Sequence, residues 1–272
     1  MRWLLVFGLL AVAVSSSPMV AAQSIGDPGV HIPEPMVADR PTDSASPVVV
    51  PPQTFQVEAG YKVSRTDDDS GSTDVQVLPD LLARYGISTK VELRLVAAGW
   101  TVQRGASGDA SGFSDISLGT KIELAERSGM RPDMGLLVEV SLPVGQSDFT
   151  SGYVIPRVLF LGASSFSDRH GLTYNLGPSF VTEQGNGETE THVDLNYAVA
   201  LSGSIGGGVS LFGEFYGAFV SGSDRLDRHS FQAGTTILLS PRFQIDIRGG
   251  IGLVNNEPDW LVGAGLAFRV PR

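Results

Sequence analysis

The stretch that decides the fold lies near the C-terminus, where residues 242–270 read RFQIDIRGGIGLVNNEPDWLVGAGLAFRV. Apolar residues recur at every second position on both sides of the segment Asn-Asn-Glu-Pro-Asp, residues 255–259. A period of two predicts strands with one apolar and one polar face, and the intervening segment has turn chemistry. Each half is as long as the roughly 9–11 residues that a tilted strand needs to cross a bilayer core. The stretch therefore predicts a hairpin whose apolar side faces either a protein core or lipid.

The same alternation begins at Gln53 and continues to the end of the chain in about twelve segments, with no stretch of helical period. The segments are joined alternately by short turns and by connections richer in Asp, Gly and Ser. An even number of antiparallel strands with short and longer connections in alternation is typical of an outer-membrane barrel. We therefore predict an all-β fold, a transmembrane antiparallel up-and-down β-barrel of about 12 strands over residues 53–272.

A soluble sandwich would also alternate, but strands this long and numerous would overfill its thin core. The apolar faces carry no Lys or Arg, which would cost about 2–4 kcal/mol at the bilayer midplane. The polar faces carry both signs of charge and would line the lumen. For each such charge, we favour an ion pair that stiffens the barrel wall over a role as a ligand for the solute. The predicted lumen-lining residues are Glu58, Lys62, Arg84, Glu92, Arg94, Lys121, Glu139, Arg157, His192, Asp194, Glu214, Asp246 and Arg248.

The N-terminal 52 residues divide into two segments. Residues 1–22 combine a basic start, a short apolar run and small residues at the exit, which predicts a secretory signal peptide. Residues 23–52 hold seven prolines and form neither helix nor ladder. We expect them to be a flexible periplasmic arm, with entry into the lumen as the alternative.

Charge and composition exclude several classes of function. The net charge of −10 and the lack of a basic patch argue against nucleic-acid binding. No cysteine is present, so disulfides and thiolate metal sites are excluded. Asp67, Asp68 and Asp69 lack the spacing of a calcium loop, and we expect a solvated acidic loop there. We predict no catalytic residues, no metal and no cofactor.

Four segments resemble a known family of outer-membrane transporters, the meta-pathway phenol-degradation family. They are residues 81–95 (LLARYGISTKVELRL), 113–121 (FSDISLGTK, with Ser114 where Gly is usual), 141–145 (SLPVG) and 258–266 (PDWLVGAGL). The resemblance covers residues 53–270. It implies a porin-like channel or transporter in the Gram-negative outer membrane for small solutes, with aromatic or other hydrophobic compounds implied by the family name. Its implied partners are outer-membrane lipid, the solute and the barrel-assembly machinery.

One departure and two alternatives accompany this resemblance. Such barrels often end on an aromatic residue that the assembly machinery recognises, whereas this sequence ends in FRVPR, so we expect that signal to be weakened or internal. One alternative is a non-conducting structural or binding barrel whose arm contacts a periplasmic partner. The other is an outer-membrane lipid hydrolase, which needs a Ser and a His in hydrogen-bond reach. His192 and Asp194 share a polar face, but no His-x-Ser pair does, and we predict that the chain is not an enzyme.

Overall fold

The computed structural model describes residues 35–69, 71–106, 108–185, 188–222 and 225–270. The signal peptide predicted for residues 1–22 and the first part of the arm, residues 23–34, lie outside these residues. Regular structure in the described part of the chain consists of strands. They are β1 (Phe55–Asp68), β2 (Gly71–Gly86), β3 (Val91–Gly105), β4 (Ala110–Phe113), β5 (Ile116–Ala125), β6 (Asp133–Leu142), β7 (Ile155–Ser165), β8 (His170–Gly185), β9 (Glu188–Gly206), β10 (Val209–Val220), β11 (Arg228–Ser240), β12 (Phe243–Gly252) and β13 (Trp260–Val270).

The strands form one closed antiparallel barrel. Each strand pairs with its neighbours in the chain, and β1 pairs with β13 over eleven residue pairs from Phe55–Val270 to Arg65–Trp260. The short β4 pairs with the part of β3 that lies beyond β5, so β4 and β5 share one place in the ring. The ring therefore has twelve strand positions, and the predicted twelve-stranded barrel is confirmed. Among the described residues, no helix has the length and apolar character needed to span a membrane.

The alternation of side chains separates an apolar outer surface from a polar interior. On β9, Leu195, Val199 and Leu201 are exposed, whereas Ala198 and Ala200 between them are buried. The same pattern runs around the ring, where exposed Leu93, Val138 and Phe215 alternate with buried Glu92, Glu139 and Glu214. In a closed barrel the backbone N–H and C=O groups of the strands are hydrogen-bonded to neighbouring strands, and the apolar side chains of the exterior contact lipid tails. The molecule is an outer-membrane type of barrel.

The two ends of the barrel differ in their connections. The end that contains Phe55 and Val270, called the terminal end below, has short turns such as the two-residue link between β9 and β10. Gly207 and Gly208 form that link with φ angles of 61° and 79°, as a type I′ hairpin turn requires. The opposite end, called the loop end, carries the long connection of residues 143–154. Short turns are periplasmic and long loops extracellular in such barrels, so the terminal end is the periplasmic one.

The arm corrects the expectation of a flexible periplasmic segment. Residues 36–50, called the plug below, lie inside the barrel, where Met36, Asp39, Val49 and Val50 are buried. The N–H of Met36 donates to the Pro241 carbonyl at 2.8 Å, and the N–H of Gln53 donates to the Gly86 carbonyl at 2.7 Å. Both contacts are at the terminal end, so the plug enters and leaves the lumen through the same opening. Proline-rich composition removes ladder hydrogen bonds from such a segment, but wall side chains supply others.

Candidate solute pathway

Three cations from neighbouring strands meet on the inner wall. Arg84 of β2 and Arg94 of β3 are direct cross-strand partners, and Lys121 of β5 is the partner of Glu92. Like charges directly opposite one another destabilise a strand pair, and burial adds a desolvation cost. Glu92 offsets part of this by accepting from the Arg84 Nε and Nη2 atoms, each at 2.9 Å. Glu58 accepts from Arg84 Nη1 at 3.1 Å and Glu139 accepts from Arg94 Nε at 3.4 Å, so three wall glutamates pair with these cations.

The plug adds a further anion, Asp39, which lies close to all three cations. Its carboxylate accepts hydrogen bonds from Arg94 and from Lys121 Nζ, the latter at 2.9 Å, and Arg84 Nη1 lies 3.7 Å away. Burial alone would raise the pKa of Asp39, but the charges of Arg84, Lys121 and Arg94 outweigh it and hold the pKa well below its usual value. Asp39 therefore remains ionised at neutral pH and joins the plug to three strands of the wall.

Three wall glutamates bind the plug by its backbone. Glu58 of β1, Glu92 of β3 and Glu214 of β10 point into the lumen and are fully buried. Carboxyl oxygens are strong hydrogen-bond acceptors, so each glutamate fixes a point of the plug main chain against the wall. The donors are the N–H groups of Asp39 and Arg40 to Glu58 at 3.0 and 2.8 Å, of Val50 to Glu92 at 2.7 Å, and of Asp43 and Ser44 to Glu214 at 2.8 Å each.

Arg40 fills the space between the plug and strands β1, β2, β12 and β13. Its guanidinium donates to Asp80 at 3.0 Å and to Asp246 at 3.4 Å. It fits because two inward positions of the wall are glycine. A Cβ atom at Gly60 would lie 2.3 Å from Arg40 Nη2, and one at Gly265 would lie 2.6 Å from the same atom. The wall is shaped to receive this side chain.

A polar contact and an apolar cluster fix the centre of the plug. Asn175 of β8 accepts from the Ala45 N–H at 2.7 Å and donates to the Ala45 carbonyl at 2.9 Å. The Ala45 methyl group packs with Leu137, Leu159 and Leu161, which are buried inward-facing residues of β6 and β7. Both main-chain polar groups of Ala45 are thus satisfied, and its side chain is packed, so the centre of the plug has one defined position.

The plug separates cavities on its two sides. A cavity of about 300 Å³ lies toward the terminal end, between the plug and β8–β12, and includes Met36, Ser202, Phe212, Thr236 and Gln244 in its lining. Toward the loop end, two cavities of about 210 and 250 Å³ share the lining residues Arg157, Asn196 and Arg228. Residues 39–45 also line a further cavity of about 210 Å³ with Lys62, Asp80 and Arg248. The cavity toward the terminal end shares its lining with this last cavity at four residues, all of them in the plug: Arg40, Pro41, Thr42 and Ser44.

The predicted lumen-lining residues fall into three levels. Nearest the terminal end, Glu58, Arg84, Glu92, Arg94, Lys121 and Glu139 form the cluster around Asp39, with Glu214 and Asp246 at the far side of the plug. Lys62, Arg157 and Arg248 lie above the plug and line its upper cavities. His192 and Asp194 lie near the loop end.

At the loop end, Asp194 is bound by an arginine from the β10–β11 connection. Arg225 donates to both carboxylate oxygens of Asp194 at 2.6 and 3.1 Å, and this hydrogen bond raises the pKa of Arg225 above its usual value. The His192 Nε2 atom is 3.5 Å from carboxylate oxygens of Glu183 and of Glu190. These contacts hold the β10–β11 connection against β8 and β9 through Glu183 and Asp194.

Sequence reasoning missed the residues that hold the plug without carrying a wall charge. Asn175, Gln232 and Gln244 are polar, and the alternation places them correctly on the inner face. A single amide side chain in the sequence does not reveal whether it binds a plug or faces water in the lumen. Gln232 donates to Glu214 and Gln244 donates to the Arg40 carbonyl at 3.4 Å. The one available signal was an Asp-Arg pair, residues 39 and 40, in which Arg40 is the single Lys or Arg of residues 23–52.

Two histidines that lie close to a hydroxyl group, His170 and His229, make contacts that stabilise the fold. Ser167 Oγ is 3.0 Å from His170 Nδ1, but the same hydroxyl accepts the backbone N–H groups of Arg169 and His170, so it closes an exposed turn. His229 Nδ1 is 3.0 Å from the Tyr197 hydroxyl on the outer surface. Among the residues that the structure describes, no group of three His, Cys, Asp or Glu side chains could hold a metal ion.

Solved structures and a family model are similar to this chain. An outer membrane channel from Pseudomonas putida F1 is similar with a TM-score of 0.62 and 15% identity, over 84% of this chain and 99% of that chain. A crystal form of the NanC porin is similar with a TM-score of 0.54 and 9% identity, over 79% of this chain and 100% of that chain. No curated protein matches the sequence. A family model described as "Putative MetA-pathway of phenol degradation" matches residues 38–270, which include most of the plug and the whole barrel. The chain therefore belongs to this family, as the four sequence segments indicated.

Proposed function

We propose that this chain is an outer-membrane channel for small solutes and that the plug closes it in the state described here. The observation that carries the proposal is the placement of residues 36–50 between separate cavities of a polar barrel. A twelve-stranded ring is wider than the eight-stranded barrels whose interiors side chains alone can fill. The space that the plug occupies is therefore the space through which a solute would pass.

The contacts of the plug support a closed state that can open. They are hydrogen bonds and ion pairs to the wall, with a small apolar contribution from Ala45 and its three leucine neighbours. Water replaces polar contacts more readily than it replaces apolar packing, because the freed groups are then hydrated. Withdrawal of the plug would leave charged walls of both signs around a wet passage. The family name supports small aromatic compounds as the cargo class.

The decisive experiment replaces residues 36–50 by a Gly-Ser linker of equal length, so that the upstream chain remains attached. We expect wild-type protein in planar bilayers to show rare or small conductance steps, and the linker variant to show large, long-lived ones. Both proteins should show heat-modifiable gel migration, which reports a folded barrel. Equal conductance of the two proteins would contradict a closing role for the plug.

The closed lumen also favours one alternative, a barrel that binds but does not conduct. The same experiment separates the two functions. If the linker variant folds and remains electrically silent, the barrel is not a channel and the plug is part of a static binding surface.

A further inference from the structure

We infer that the cavities above the plug form a binding site for small organic anions, namely a carboxylate on an apolar body. The inference rests on the proposed function in one respect, because these cavities lie on the route from the loop end to the plug. It concerns the chemistry of the solute, which neither the fold nor the family membership specifies.

The first observation is a pair of guanidinium groups that share one space. Arg157 of β7 and Arg228 of β11 line both of the cavities that lie between the plug and the loop end. Their side chains keep 41% and 47% of their surface exposed, so each has donors that face the cavity. Arginine presents its donors in a planar fork that matches a carboxylate.

The carboxylates near these two arginines are already engaged. Glu139 contacts Arg157, but it also accepts from Arg94 Nε at 3.4 Å. Asp194 lies 3.6 Å from Arg228, but both of its oxygens accept shorter hydrogen bonds from Arg225. Each anion is thus shared between two cations, and each cavity arginine faces its carboxylate through Nη2, which leaves its other guanidinium donors for a ligand.

The other acids of the cavity lining also have protein partners. Glu257 accepts from Ser230 Oγ at 2.9 Å, and Asp43 accepts from Gln232 Nε2 at 2.9 Å. Asp43 also lies 3.6 Å from Arg248. These contacts orient the two acids toward the wall and the plug.

The cations that contact the plug are much less exposed than Arg157 and Arg228. Arg84 and Lys121 are 1% and 0% exposed, and the plug and the wall glutamates take up their donors. They can meet a solute only after the plug leaves. Arg157 and Arg228 are therefore cations that a solute entering from the loop end can meet while the plug is in place.

The second observation is the mixed chemistry of the same walls. Leu159, Ala198 and the ring of Tyr216 supply an apolar side in one cavity. Hydroxyl side chains of Ser141 and Ser179 supply polar groups in the adjoining one. Cavities of about 210 and 250 Å³ are smaller than those that hold drug-sized ligands. An anion with a single ring or short chain fits both the size and the chemistry.

The test measures binding to the plugged full-length barrel, which does not require conduction. Purified protein in detergent is dialysed to equilibrium against labelled benzoate, its neutral isostere benzamide, or acetate. We expect benzoate to bind more tightly than either comparison compound. Arg157→Gln and Arg228→Gln should each weaken benzoate binding about tenfold, because each removes a charge-assisted contact. Arg157→Lys should retain part of the affinity.

The matched control is Arg65→Gln, which removes a similarly exposed arginine that pairs with Asp74 and lies over Trp260, away from the cavities. It should leave benzoate binding unchanged, and heat-modifiable migration should be normal in all variants. Equal binding of benzoate and benzamide, or equal loss in the Arg65 control, would overturn the anion site. Equal binding of acetate and benzoate would overturn the apolar part. Failure of the channel proposal would appear in conductance and leave these binding results intact.

Discussion

Asp39 illustrates how one side chain converts a proline-rich segment into part of a barrel. It is 5% exposed and lies within reach of three buried cations of the wall, Arg84, Arg94 and Lys121. Removing one partner of a buried ion pair leaves an uncompensated charge, and this is more costly than the net worth of the pair itself. The wall and the plug therefore depend on each other at this residue.

Neutralising Asp39 should loosen the plug. We expect Asp39→Asn to destabilise the docked plug by about 3–5 kcal/mol, because Arg84, Arg94 and Lys121 lose a buried counter-ion. The measurement is the fraction of time that a channel conducts in a planar bilayer, which should rise toward that of the linker variant. Acid should act in the same direction. Because the pKa of Asp39 in the docked plug lies below its usual 3.8, its stabilising contribution is complete above that pH and is lost as pH falls through lower values.

Asp43→Asn provides the control within the same segment. Its side chain is 47% exposed, so neutralising it should change the conducting fraction little. The role assigned to Asp39 would be wrong if both variants conduct alike, or if Asp39→Asn responds to acid as strongly as wild type does.

The inward charges were accessible from sequence because a period of two fixes the face of every residue in a strand. Their partners were not accessible. Glu58, Glu92 and Glu214 bind backbone N–H groups of the plug, and such donors have no residue signature. The expectation of ion pairs across the wall described only part of what these carboxylates do.

Among the structural elements, the plug and strands β2, β3 and β5 act as one unit, while β8 holds its centre through Asn175. The strands themselves followed from the sequence, but their limits did not. β8 ends at Gly185 and β9 begins at Glu188. The Gly, Asn and Glu content of residues 184–190 predicts a longer loop there. Cross-strand pairing sustains these ends, and local composition cannot report it. The short β4 was missed because it pairs on one side only.

A crosslink between the plug and β8 should hold the channel shut. The chain has no cysteine, so Ala45→Cys with Asn175→Cys introduces one disulfide, at two residues whose groups are in direct hydrogen-bond contact. Conductance of the oxidised double variant should be abolished, because the centre of the plug can no longer leave the wall. A reducing agent should restore it.

Asn175→Cys alone serves as the comparison, since it loses the same amide contacts and cannot form the crosslink. It should conduct equally in oxidising and reducing buffer. Persistent opening of the oxidised double variant would show that conduction does not require movement of the plug centre.

For the whole molecule, the decisive property is which surface meets hydrocarbon. Val199 is 42% exposed near the middle of β9 and faces outward, whereas Ser202 on the same strand lines the lower cavity. We expect Val199→Arg to destabilise the barrel in lipid vesicles by about 2–4 kcal/mol, because a cation at the bilayer midplane is poorly solvated. The midpoint of urea unfolding, followed by heat-modifiable migration, measures this change.

Ser202→Arg is the paired substitution on the lumen side. Its guanidinium reaches a wet, polar space and should shift the unfolding midpoint much less. Equal shifts for the two variants would mean that the outer face does not contact lipid.

The plug is inserted as a loop whose two ends, near Met36 and Gln53, remain at one mouth of the ring. No terminus has to thread through the strands for it to be seated or removed. Export order does not constrain it either: a ring already closed between β1 and β13 can take up the loop afterwards and let it go again, with the membrane seal undisturbed.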